Sequence, residues 1–124
     1  MKPLKILLVD DQPDFIETLT FWLKSKGHAV SSALDGEGGI QLIQTERFDL
    51  VFLDVHMPKM DGLEALAKIR TLNKNLHVIL LTAYPEEGIT DKAKELGISG
   101  FFPKEGNFEK LTNAIEVALR IYKS

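Results

Sequence analysis

Ile6-Leu7-Leu8-Val9-Asp10-Asp11 is an unbroken apolar run that stops at two carboxylates, and Leu50-Val51-Phe52-Leu53-Asp54 repeats the arrangement half a chain later. A strand with one wet face alternates apolar and polar residues, whereas a strand covered by helices on both faces is apolar throughout. Ile6 to Val9, Val51 to Leu53 and Val78 to Leu81 are all of the second kind. They are expected to be central strands of a parallel sheet with helices on both faces.

Working outward, two further runs of strand length, Ala29 to Ala33 and Gly100 to Phe102, bring the expected strands to five, with the first spanning Lys5 to Val9. Between and after them lie segments of helical spacing. The clearest are Phe15, Leu19, Trp22, Leu23 and then Leu111, Ile115, Ala118, Leu119, Tyr122. Pro13 suits the first turn of a helix, where its missing N–H costs nothing, and Gly27 suits the left-handed position that ends one. Asp61-Gly62 would signal a hairpin between alternating strands, but helical spacing follows at Leu63, Leu66 and Ala67, so it is read as a turn into a helix. Gly36, Gly38 and Gly39 fail the G-x-G-x-x-G spacing of a dinucleotide loop and are read as a loop or helix start. Right-handed crossovers leave few topologies for five alternating β/α units. The expectation is an α/β, doubly wound five-stranded parallel sheet of order 2-1-3-4-5 with five helices, the flavodoxin-like arrangement.

The 124 residues suit one domain with one core, and 44% hydrophobic with 27% charged residues is ordinary for a globular protein. With no cysteine there are no disulfides, thiolate nucleophiles or cysteine zinc sites. The apolar run at the N-terminus is too short for a signal peptide, and no stretch approaches the roughly 20 apolar residues of a membrane span. A soluble, cytoplasmic protein without membrane contact is expected. A formal charge of −3 with no basic stripe argues against direct nucleic acid contact.

Ligands of such sheets bind beyond the carboxyl ends of the strands, where the strand order reverses. The residues at those ends are Asp10 and Asp11, Asp54, Thr82 and Lys104. Taken singly, each is an ordinary loop residue: Asp11 could cap a helix, Thr82 could start a turn, Lys104 could be solvated. Together they differ. Three carboxylates at one switch point raise one another's pKa values unless a cation sits among them, and carboxylates without cysteine or clustered histidine favour a hard ion, Mg²⁺, Mn²⁺ or Ca²⁺, over zinc. Mg²⁺ bound by carboxylates implies phosphate as the second ligand.

From Ile6 to Tyr122 the chain resembles the receiver domain of two-component response regulators. The resemblance is carried by Ile6-Leu7-Leu8-Val9-Asp10-Asp11, by Leu53-Asp54-Val55-His56-Met57-Pro58 with Asp61-Gly62, by Leu81-Thr82-Ala83, and by Gly100-Phe101-Phe102-Pro103-Lys104. It implies a single receiver domain over 1–124, free-standing or cut from a longer regulator. Asp54 would accept a phosphoryl group from a sensor histidine kinase or a histidine phosphotransfer protein. Asp10, Asp11, Asp54 and the backbone carbonyl of His56 would hold Mg²⁺ or Mn²⁺, and Thr82 and Lys104 would bind phosphoryl oxygens. Such a domain is not an enzyme beyond its own phosphorylation and dephosphorylation. Two new hydrogen bonds to a charged group total roughly 3 to 6 kcal/mol, against about 5.5 to swing a population from 1:99 to 99:1. The resemblance further implies a switch through Thr82 and the strand 5 aromatic Phe101. The readout face would comprise helix 4, strand 5 and helix 5, roughly Ile89 to Tyr122. A downstream protein or a fused output domain would dock there, with a phosphorylation-dependent dimer as an open alternative.

The family usually has proline directly after its lysine, often with a cis bond, whereas Pro103 precedes Lys104 here and Glu105 follows it. A non-proline cis bond costs about 3 to 4 kcal/mol, so a trans Lys104–Glu105 bond and a shifted loop to Asn107 are expected. His56 and Tyr84 follow Asp54 and Thr82 by two places, and their bulk beside the route of water implies slow self-dephosphorylation. The alternatives are an aspartyl-nucleophile phosphatase of the haloacid-dehalogenase kind and a phosphorylation-independent receiver-like interaction module. The phosphatase would need Asp-x-Asp after the first strand, not the adjacent Asp10-Asp11.

Overall fold

The computed structural model describes residues 3–83, 88–104 and 108–123, with side chains as far as residue 120. The elements follow strict alternation: β1 (Lys5–Val9), α1 (Pro13–Ser25), β2 (Ala29–Ala33), α2 (Gly36–Thr45), β3 (Leu50–Asp54), α3 (Gly62–Leu72), β4 (His77–Thr82), α4 (Ile89–Leu96), β5 (Gly100–Pro103) and α5 (Phe108–Lys123). The strands form one sheet, all pairs parallel, in the order β2-β1-β3-β4-β5. This is the architecture expected from the apolar runs.

Side chains of successive strand residues point to opposite faces, and the sheet accordingly divides its apolar residues between two layers. Leu7, Val9, Val51, Leu53, Val78 and Leu80 pack with α3 and α4 through Leu66, Ile69 and Ala93. On the other face Ile6, Leu8, Leu50, Phe52, Ile79 and Leu81 pack with α1 and α5 through Leu19, Leu23, Ile115 and Leu119. β2 is an edge strand and, unlike the central three, carries two serines and no fully buried residue.

The helices begin where their sequence dictates. Pro13 opens α1, although the position before it is Gln12 and no side chain caps that helix, so the capping role open to Asp11 is not used. Asp35 Oδ1 accepts the Gly38 N–H at 2.7 Å to start α2, which makes the glycine cluster a helix start. α3 has a full capping box: Asp61 Oδ1 accepts the Glu64 N–H at 2.9 Å while Glu64 reaches back to the Asp61 N–H. Gly27 has φ +93° just beyond α1, as its position required. Three strands run one residue further than their apolar cores suggest. Asp54, Thr82 and Pro103 are the last residues of β3, β4 and β5, because the ladder pairs Asp54 with Leu81 and Thr82 with Pro103.

Gly62 locks the first turn of α3 against the end of β3. Its N–H donates to the Val55 carbonyl at 2.8 Å. A Cβ at this position would strike the Asp54 carbonyl oxygen and come within 2.7 Å of Val55 Cα, both backbone atoms that cannot step aside. Gly62→Ala is therefore expected to lower stability by about 2 kcal/mol or more, read as a shift of the urea midpoint, despite the better helix propensity of alanine.

Candidate functional site

β1 and β3 are neighbours in the sheet with Val9 opposite Leu53, so the residues that follow, Asp10 and Asp54, emerge side by side. Asp11 comes next on the same loop, and carboxylate oxygens of Asp10, Asp11 and Asp54 all lie within 4.8 Å of one another. Asp10 and Asp54 are buried, 2% and 3% exposed. Alternation along the strands places Asp10 and Asp54 on the α1/α5 face, continuing Ile6, Leu8 and Leu50, Phe52.

Lys104 reaches this cluster from the far side of the sheet. Its N–H donates to the Thr82 carbonyl at 2.7 Å, which continues the β4–β5 ladder past Pro103 and aims the side chain back over β4 and β3. Its Nζ lies 2.7 Å from Asp10 Oδ2, 2.7 Å from Gln12 Oε1, 3.7 Å from Asp54 Oδ2 and 4.4 Å from the centroid of the Phe15 ring. Asp10 is held at both oxygens, since Oδ1 accepts the Gln12 N–H at 2.9 Å.

Asp54 is held less firmly, with one long bond at 3.4 Å from the His56 N–H to Oδ1. Burial and the neighbouring charges of Asp10 and Asp11 push its pKa up from 3.8 to about 7, against the opposing pull of Lys104 and the His56 N–H. The donor set suits a hard divalent cation: three carboxylates in reach of one ion and no sulfur, with one carboxyl driven toward protonation by burial and by its acidic neighbours. The backbone of His56, whose carbonyl the family resemblance implies as a further ligand, borders the same carboxylate.

Thr82 is fully buried at the end of β4. Alternation sets it on the α3/α4 face after Val78 and Leu80, and Phe101, which pairs with Leu80, packs on that same layer. The two expected switch residues thus share one face. Tyr84 and the loop 105–107, with the expected shift after Lys104, lie outside the described residues. Lys104 itself reaches the carboxylates without a following proline. Sequence reasoning missed Gln12 and Phe15, which join Lys104 only by tertiary approach across 92 and 89 positions. It also missed Gly62 as a packing requirement.

The model of the response regulator receiver domain matches residues 6–116. The chain belongs to the receiver domain family. It is similar to sporulation initiation phosphotransferase F of Bacillus subtilis, 34% identical over 112 residues that make up 90% of each protein. It is 35% identical over 118 residues to transcriptional regulatory protein GlrR of Escherichia coli, where the match covers 95% of this chain and 27% of the relative. Among solved structures, the response regulator TrrA of Thermotoga maritima in complex with Mg²⁺–BeF superposes with a TM-score of 0.80 at 32% identity, over 95% of this chain and 99% of that one. Receiver domains are signalling modules of two-component systems. Among the described residues of this one, no helix is long and apolar enough to cross a membrane.

The raised pKa of Asp54 has a consequence for the cation-free domain. A carboxyl that binds its proton more tightly when folded than when unfolded contributes stability that is fully present below the unfolded value near 3.8 and is lost as pH rises through about 7. In EDTA, Asp54→Asn is expected to melt several degrees above wild type at pH 8, with the gap closing as pH falls from 8 toward 5. A constant gap in thermal denaturation across that range would refute the assignment of the raised pKa to Asp54.

Proposed function

We propose that this receiver domain accepts a phosphoryl group on Asp54 from a histidine kinase or a histidine phosphotransfer protein in the cytoplasm, with Mg²⁺ or Mn²⁺ held by Asp10, Asp11, Asp54 and the His56 carbonyl. The observation that carries this reading is the convergence of three carboxylates within 4.8 Å, with a buried ammonium 3.7 Å from Asp54. An ionised Asp54 oxygen attacks phosphorus, the P–N bond to the donor imidazole breaks, and the imidazole leaves with the bonding electrons and takes up a proton. Transfer of this kind asks mainly for in-line positioning and neutralised oxygens. The cation neutralises phosphoryl oxygens and keeps Asp54 ionised when bound. Lys104 supplies the second positive charge and Thr82 a hydroxyl donor, and no separate general base is required.

Phosphoryl binding by Thr82 would draw on a residue that shares the α3/α4 face with Phe101, so the bulk of Phe101 is the route by which the site reaches β5 and α4. Phe101 has no hydroxyl and signals by packing alone. The readout face is supported by a cleft of about 690 Å³ between β5 and α5, lined in part by Phe102, Ala114, Val117 and Ala118. Val117 on its rim is 55% exposed. A downstream protein, or an output domain of the same polypeptide, is the partner proposed for this face, with a second phosphorylated copy as the alternative. The domain catalyses only its own phosphorylation and dephosphorylation.

The decisive measurement is intact mass after incubation with acetyl phosphate, with and without Mg²⁺. A single phosphoryl adduct is expected that requires Mg²⁺ and is absent from Asp54→Ala. Folded protein that gains no adduct at any Mg²⁺ concentration would instead support a phosphorylation-independent interaction module. In the same assay His56→Ala/Tyr84→Ala should shorten the lifetime of the adduct by opening the water route, and an unchanged lifetime removes any shielding role for these two side chains.

A further inference from the structure

The ammonium of Lys104 is enclosed more completely than an interaction with the aspartates requires. The side chain is 5% exposed. Its charge is met on three sides, by Asp10 Oδ2 at 2.7 Å, by the side-chain oxygen of Gln12 at 2.7 Å and by the face of the Phe15 ring at 4.4 Å, while Asp54 Oδ2 is a full ångström further than Asp10. Gln12 clamps both ends of one arrangement: its N–H holds Asp10 Oδ1 and its side chain holds the cation that sits on Asp10 Oδ2. A surface glutamine gains little by leaving water for one neutral contact, but a hydrogen bond to a charged, desolvated group is among the stronger ones available to it. A ring face within about 6 Å of an ammonium adds a further attraction that grows as water is excluded.

We propose that Gln12 and Phe15 are positioning residues for Lys104. They hold its ammonium on the Asp10 side of the site, in competition with the divalent cation for the same carboxylate, and so set the cation affinity of the pocket. The inference rests on the reading above that Asp10, Asp11 and Asp54 hold a divalent cation. Its physical core is independent of any phosphoryl step. One carboxylate oxygen cannot keep an ammonium and a dication both in contact without their mutual repulsion, so whatever stabilises the ammonium there weakens the dication. A lysine without a following proline is thereby held by contacts to the loop and first helix after β1.

The test is calorimetric titration of the whole unphosphorylated chain with MgCl₂, using wild type, Gln12→Ala, Phe15→Leu and Phe15→Tyr. Gln12→Ala is expected to bind Mg²⁺ roughly tenfold or still more tightly than wild type, as for a hydrogen bond to a charged group, and Phe15→Leu roughly five- to thirtyfold more tightly, as for a cation–π contact shielded from water. Phe15→Tyr, which keeps the ring face, should retain the wild-type affinity. NMR supplies a second readout: the Lys104 Hε resonances, shielded by the ring in wild type, should move downfield as Mg²⁺ is added and should already lie downfield in Phe15→Leu. Equal or weaker Mg²⁺ binding in Gln12→Ala and Phe15→Leu, beside saturable binding in wild type, overturns the cradle and leaves the cation site standing. Folded wild type with no saturable Mg²⁺ binding overturns both.

Discussion

The pairing of β1 with β3 is the constraint on which the rest of this molecule depends. Because Val9 stands opposite Leu53, the residues after them, Asp10 and Asp54, are neighbours at the carboxyl end of the sheet, both buried. Burial, reinforced by the repulsion between like charges so placed, moves the Asp54 carboxyl up to about 7. A fold tolerates such a site only if positive charge is brought to it. Lys104 does this from the opposite edge of the sheet, through a backbone bond to Thr82 that carries the β4–β5 ladder one step beyond its last pair.

The two faces of the sheet divide the work. Asp10 and Asp54 belong to the α1/α5 layer and Lys104 bends toward it, whereas Thr82 and Phe101 belong to the α3/α4 layer. In the proposed function Thr82 is the one phosphoryl-binding side chain with direct access to the second layer, which gives the switch a material route: charge gained on one face is felt as packing on the other. Gly62 contributes by letting α3 begin flush against the carbonyl of Asp54, so β3 ends on a closely packed turn. A close-packed interior transmits such a displacement instead of absorbing it.

Central strands were the most legible part of the sequence. Ile6 to Val9, Val51 to Leu53 and Val78 to Leu81 have helices on both faces, and double coverage leaves a continuous apolar signature that short loops cannot mimic. Their last residues were less legible, since Asp54 and Thr82 are polar and only the ladder shows them still paired. Helix starts were readable where a capping residue or proline stood, as at Asp61 and Pro13. At Asp11 a cap was only the plainer alternative, and its carboxylate faces the cluster instead.

By itself the sequence determined the five α/β units, their order in the sheet and the gathering of Asp10, Asp11, Asp54, Thr82 and Lys104 at one end, because strand identity and parallel crossovers follow from local periodicity and chain handedness. It could not show where the Lys104 ammonium rests. That was decided by Gln12 and Phe15, 92 and 89 positions away, through a hydrogen bond and a ring face with no periodicity or spacing of their own. Nor could it show that Gly62 must lack a side chain, since the atoms a Cβ would meet belong to the backbone of another element. Contacts of this kind exist only once the two cores have closed, and tertiary packing alone chooses among the many residues able to make them.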